Sequence, residues 1–194
     1  MTSTTDLDIA ACHRAALDAT REVVVGISDD QWHLPTPCED WDVRALLTHV
    51  VAGNWWASRL ATGASIAEVG TAYDGDVLSP SPLGEYHESA VAAARAFEAP
   101  GALDAPCAVS YGPVPGSVYA GHRLIDVVIH GWDLAVATDQ PSPLTPELVD
   151  ACLQVIEPQL DLLRASGMFG TEQPIPTDAD ATTRLLLTVG RTPD

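Results

Sequence analysis

Four side chains able to bind a metal or move protons recur along one side of a helix read over Ala120 to Gln140, AGHRLIDVVIHGWDLAVATDQ. His122, Asp126 and His130 follow one another at i, i+4 spacing, and Asp133 lies two turns beyond Asp126 at nearly the same azimuth. Leu124, Ile125, Val127, Val128 and Ile129 flank this polar line, so it borders an apolar face. An imidazole and a carboxylate one turn apart bind a single metal ion when another helix brings a third donor. The best candidate for that donor is His49, in the apolar segment Trp41 to Leu60. Spacing alone leaves two readings open, a metal site and a buried helix with a satisfied polar pair. With 27 acidic residues and six histidines in 194 positions, about one acid–histidine pair at this spacing is expected by chance, and the chain has two. The other, Asp29/His33, sits in a short polar segment cut off by Pro35, with no long helix beneath it.

Capping and periodicity lay out the elements that position these groups. Thr4 or Thr5 caps a first helix to about Val25, with Leu7, Ala11, Ala15, Leu17 and Val24 as its apolar stripe and His13 at its surface or core edge. Trp32 and Trp41 pin the following Asp/Pro-rich loop. Asp42 caps a second helix, Val43 to about Leu60, with Leu46, Leu47, Val50 and Val51 inside and His49 at the margin. Gly53, one turn after His49, leaves room for close helix packing or for a ligand. Glu68 to Pro82 reads as a long loop and Pro82 to Glu98 as a third helix, with His87 facing solvent. Cys107 to Ser117 begins extended and turns through Gly112-Pro113 and Pro115-Gly116, a loop placed to hang over the helix face. Thr145-Pro146-Glu147 starts a helix to about Ala165, and Asp178 or Asp180 starts a last short one ending at Gly190. The pattern predicts an all-α, up-and-down four-helix bundle with an extra short C-terminal helix, one domain over residues 1–194.

The formal net charge is −18, and all nine basic residues are Arg. Such a surface repels phosphate backbones and anionic headgroups, which argues against nucleic-acid and membrane partners. No apolar run reaches the roughly 20 residues that span a bilayer. The start of the chain lacks a basic, then apolar secretion signal, so a cytoplasmic location is expected. Cys12, Cys38, Cys107 and Cys152 form no CxxC pair and read as reduced thiols.

In chain order, PTPCEDWDVRALLTHVVAGN (Pro35 to Asn54), SYGPVPG (Ser110 to Gly116), DVVIHGWDLAVATDQ (Asp126 to Gln140), GMFG (Gly167 to Gly170) and DADATTRLLLTVGR (Asp178 to Arg191) carry a resemblance over nearly the whole chain. Together these motifs resemble an actinobacterial metal-binding family of the DinB/YfiT-like superfamily, related to the metal-binding domain of mycothiol-dependent maleylpyruvate isomerase. The resemblance implies a four-helix bundle holding a divalent metal through one histidine of the second helix and two ligands of a later one, here His49, Asp126 and His130. Relatives in the isomerase group often carry Glu where this chain has Asp126; the shorter acid brings the metal closer to its helix or reaches it through water. His122 is a further assisting group, and Asp133 and Arg44 are candidates to support the ligands from behind. Trp55, Trp56, Tyr111 and Tyr119 are the candidates to shape a substrate pocket. Zinc is the first metal expected, then nickel, cobalt or manganese, with mycothiol as co-substrate. The implied activity is thiol transfer or isomerisation on a small electrophilic metabolite. A hydrolase using bound water and a non-catalytic small-molecule or metal-binding module, in either case with a possible homodimer, remain alternatives.

Overall fold

A computed structural model describes residues 7–39, 41–161, 170–171 and 173–193. The chain forms two compact units, Met1–Pro143 and Leu144–Asp194. Four long helices make the first: α1 (Ile9–Gly26), α2 (Val43–Leu60), α4 (Pro82–Glu98) and α5 (Gly116–Ala137), with a single-turn α3 (Ile66–Val69) between the second and third. This is the expected all-α bundle. α1 and α2 stand at opposite corners, each packed between α4 and α5.

Paired residues give the helix directions. Leu17 meets Tyr86 and His13 meets Phe97, so α1 and α4 are antiparallel. His49 meets Asp126 and Asn54 meets Arg123, so α2 and α5 are antiparallel. Thr20 reaches Val127 while Val23 accepts from Gln140, so α1 and α5 run together. α2 and α4 therefore both run the opposite way, an up-down-down-up order in place of the expected up-and-down one, and the chain must return the length of the bundle between them. Residues 61–81 make that return, which is why this connection is long. It is not all loop: Ser65 and Glu68 form a reciprocal capping box on α3.

Local chemistry accounts for the helix ends. Asp42 caps α2 through the Ala45 N–H at 2.8 Å, as its place in the sequence predicts. Ser81 and Pro82 open α4 in the same manner. For α1, the expected caps Thr4 and Thr5 lie outside the described residues; Asp8 accepts from Ala11 N–H at 3.0 Å. The buried stripe of α1 is also phased differently from expectation. Ala11 and Ala15 are exposed, while Ile9, Leu17, Val23 and Val24 face inward. Methyl side chains bring little apolar area, so the larger residues set the rotation. That rotation carries His13 into the core, where it is fully buried rather than at the surface or core edge. His87 is exposed, as expected.

The segment before α5 is a two-stranded hairpin, β1 (Pro106–Val109) against β2 (Gly112–Pro115), antiparallel with Cys107 opposite Val114. It runs into α5, whose first N–H groups donate to Ala105 and Leu103 carbonyls, so the helix begins at Gly116 without a side-chain cap. α5 touches α1 closely at Gly131, where a Cβ would meet the Thr20 hydroxyl.

In the second unit, Thr145 caps α6 (Pro146–Ile156), which packs on α7 (Ala181–Thr188), capped by Asp180. The α-helical stretch is shorter than expected. A 3-10 turn follows at Glu157–Gln159, because Pro158 has no N–H to continue the ladder. The expected extension to Ala165 and most of the GMFG motif lie outside the described residues. None of the four cysteines forms a disulfide. No helix among the described residues is long and apolar enough to cross a membrane.

Candidate metal centre

α2 and α5 bring three donors together on the seam between them. His49, Asp126 and His130 each offer one ligand atom, and the three atoms lie within 4.8 Å of one another. His49 Nε2 is 3.2 Å from Asp126 Oδ1, and His130 Nε2 is 3.6 Å from the same oxygen. Bonds of about 2.0–2.1 Å to a tetrahedral ion place its ligand atoms roughly 3.3–3.4 Å apart, and the two observed separations bracket that edge. Two imidazole nitrogens and a carboxylate oxygen are a donor set suited to zinc and its divalent neighbours. The residues present fit such an ion.

Their surroundings hold the rings in place. Asp133 is fully buried, and its Oδ2 lies 3.0 Å from His130 Nδ1. A carboxylate there accepts a hydrogen bond from the Nδ1–H, which keeps the proton on that nitrogen and leaves Nε2 unprotonated toward the seam. Trp41 stacks on His49, with 4.6 Å between ring centroids and a 30° tilt, and its ring is 5.8 Å from His130. The His49 and His130 rings meet edge to face at 5.0 Å. The site keeps an open side, since the His49 and Asp126 side chains are 36% and 26% accessible. A structural ion would be enclosed by four protein ligands; three donors with an open side are the arrangement of a reactive centre.

Arg123 is the neighbour that sequence reasoning missed. Its Nη1 donates to Asp126 Oδ2 at 2.7 Å and its Nη2 to Asn54 Oδ1 at 3.1 Å. Burial alone would raise the Asp126 carboxyl. The adjacent Arg123 guanidinium, with His130 and the His49 hydrogen bond, outweighs it and holds the acid well below the usual carboxylate range. Asp126 is thus an anion fixed by one oxygen to Arg123, with the other turned to the two imidazoles. The room at Gly53 is filled by this guanidinium: a Cβ there would lie 2.4 Å from Arg123 Nη1. An Arg three residues before Asp126, inside an otherwise apolar run, was the available signal.

The remaining candidates lie elsewhere. Arg44 pairs with Asp76 at 2.6 Å on the exposed side of α2, so the guanidinium at Asp126 is that of Arg123. His122 does not join the three donors; its Nδ1 is 2.5 Å from the Tyr111 hydroxyl at the hairpin turn. Tyr111 and Trp56 line a groove with Leu60, Ile66, Val109, Ser110 and Tyr119. His33 meets Asp42, at 3.3 Å, rather than Asp29.

Comparison with known proteins shows the family and the fold. Two uncharacterized proteins of Mycobacterium tuberculosis, from strains CDC 1551 and H37Rv, are each 36% identical to the chain over 192 residues, covering 96% of it and 99% of theirs. Crystal structures of the mycothiol-dependent maleylpyruvate isomerase and of a histidine-to-alanine mutant of it share the fold, with TM-scores of 0.60 and 0.61 at 18% identity. Each alignment covers 82% of this chain and 72% of the isomerase. The model of the mycothiol maleylpyruvate isomerase N-terminal domain family matches residues 13–135, a span running from within α1 through α2 and α4 into the last turns of α5, and the chain belongs to that family.

Proposed function

We propose that His49, Asp126 and His130 hold one divalent metal, zinc in the first instance, and that the protein is a cytoplasmic thiol transferase or isomerase joining mycothiol to a small electrophilic metabolite. The observation that carries this reading is the convergence of three donors on an open seam, with one imidazole fixed from behind by a buried carboxylate. When bound, the metal supplies positive charge that acidifies a thiol brought to it. The chain's own residues do the rest. Asp133 fixes the His130 tautomer, Arg123 keeps Asp126 ionised, and Trp41 holds the His49 ring and shields its face from water. The family's isomerase members and the shared fold favour a thiol-dependent reaction over a hydrolytic one.

The test is metal analysis of the protein purified without added metal, beside His49→Ala, followed by assay with mycothiol and a panel of electrophiles. About one equivalent of a divalent metal, lost in the variant with its helical content kept, together with thiol adduct formation, is the expected result. A protein that takes up no zinc, nickel, cobalt or manganese makes the donors a polar cluster neutralised by Arg123, and the reading fails. A loaded protein that turns over substrate without thiol is a hydrolase instead.

A further inference from the structure

The seam between α2 and α5 continues beyond the three donors. On α2, His49, Gly53, Trp56 and Leu60 fall on one face, and on α5 Tyr119, His122 and Asp126 fall on the face opposite. Because the helices are antiparallel, Trp56 and Tyr119 meet at the same end, each seven residues from its metal-site residue. That is two turns, about 10 Å along the seam. There a groove of about 280 Å³ opens between Trp56, Leu60, Ile66, Val109, Tyr111 and Tyr119.

The walls of this groove are aromatic and branched aliphatic apart from Ser110. Among the described residues no acidic or basic side chain lines it. The Tyr119 phenol is pushed up to about 12 by burial, and burial raises that of Tyr111 as well, so both remain neutral at pH 7. Ile66 and Tyr111, both lining this groove, are 40% and 54% exposed, large apolar side chains left open to solvent side by side in one cavity wall. Polar character enters at the side nearer the donors, where the Tyr111 hydroxyl meets His122 Nδ1. That bond also ties the hairpin turn to α5 and sets the roof of the groove.

We infer that this groove binds the flat, uncharged part of the substrate, an aromatic or conjugated mono- or bicyclic small molecule, with one polar substituent on the Tyr111–His122 pair and its reactive end along the seam at His49, Asp126 and His130. The orientation rests on the reading of those three residues as the reacting centre; the groove's ligand class does not. An extended metabolite bearing several charges is excluded by the lining, and the chain's charge of −18 disfavours an anionic one further.

2-Naphthol, an uncharged bicyclic with one hydroxyl, serves as the probe, titrated by calorimetry into the full chain at pH 7. Saturable binding with one site per chain is expected, weakened about tenfold or more in Trp56→Ala as its apolar wall is lost. Ile66→Asp, which places a charge at the exposed rim without touching the core, weakens it similarly and stands in should Trp56→Ala fail to fold. Tyr111→Phe weakens 2-naphthol while leaving helical content unchanged. His49→Ala leaves probe binding intact. No saturable binding at millimolar probe, or binding unaltered by both Trp56→Ala and Ile66→Asp, overturns the inference. Metal uptake by a protein that ignores 2-naphthol refutes the groove alone, and probe binding by a protein that takes no metal refutes the metal reading alone.

Discussion

Replacing His13 with Leu removes a pH-dependent weakness from the centre of the bundle. His13 is fully buried on α1, edge-on to Phe97 of α4, and among the described residues neither ring nitrogen has a hydrogen-bond partner. The charged groups that act on it are Arg123 and Asp126 of α5 and Arg14 of its own helix. Burial is the largest influence, followed by repulsion from Arg123 and Arg14, with Asp126 opposing; together they lower the imidazole from its ordinary 6.5 to about 3. The folded value lies below the unfolded one, so the unfolded chain binds the proton first. The contribution to stability is complete above pH 6.5 and is lost as the pH falls toward 3. At pH 5 the unfolded histidine is almost wholly protonated and the folded one almost wholly neutral, a difference of about 2 kcal/mol. At pH 7 it is only a few tenths.

Leu fills a similar volume, has no proton to bind, and leaves no unpartnered nitrogen in the core, so at neutral pH the exchange is close to neutral or stabilising. Urea unfolding followed by far-ultraviolet circular dichroism, at pH 7 and pH 5, checks this for both proteins. Other titrating groups are the same in both proteins and cancel in the difference. Between the two pH values wild type should lose about 2 kcal/mol more than His13→Leu. Equal losses would show that the imidazole is hydrated or paired in solution, and the argument from its burial would be wrong.

Two further substitutions probe the supports of the seam. Asp133→Asn keeps the shape but removes the anion behind His130, and zinc affinity measured by competition with a chelator should fall by about 10–100-fold with little change in the unfolding midpoint. Gly53→Ala pushes a methyl group into the Arg123 guanidinium, and, because that group is held by Asp126 and Asn54, it cannot swing aside freely. Destabilisation of about 1–3 kcal/mol and weakened metal binding are expected from denaturation and zinc titration, and an unaltered protein would mean that Arg123 has another place to go.

What the sequence could show depended on whether the deciding interaction was local. Asp42, Thr145 and Asp180 each accept from a backbone N–H three residues on, and such a bond is written in the order of residues. The pairing of Asp126 with His130 is likewise one helical turn. Where His49 meets them depended on the helix packing, and here the family resemblance supplied the long-range information. The misplaced residues are those whose partners lie in other parts of the chain. His13 looked peripheral because α1 was phased from alanines, whereas enclosure between α4 and α5 rotates it inward. His122 looked like a member of the polar line because it shares a face with Asp126, but the Tyr111 hydroxyl at the hairpin turn draws its ring away. Arg44, which the family resemblance offers as a support for the ligands, pairs instead with Asp76 in the connection after α2, a contact the sequence does not display.

The least legible feature, the chain from Gly53 through Arg123 to Asp126, has the largest consequence for the site. A carboxylate between two imidazoles could share its charge evenly with both, and a metal would then compete with two ready hydrogen bonds. Arg123 changes that competition by binding Oδ2, which leaves Oδ1 as the single oxygen facing both His49 and His130. One oxygen and two nitrogens then point at a common volume, and the acid stays ionised wherever the imidazoles are neutral. The same guanidinium is unable to leave, because Asn54 and the Val50 carbonyl accept its other amino group. A glycine on α2 is therefore part of the candidate site without touching any of its three donors: it makes the space in which the charge that orients Asp126 can be buried.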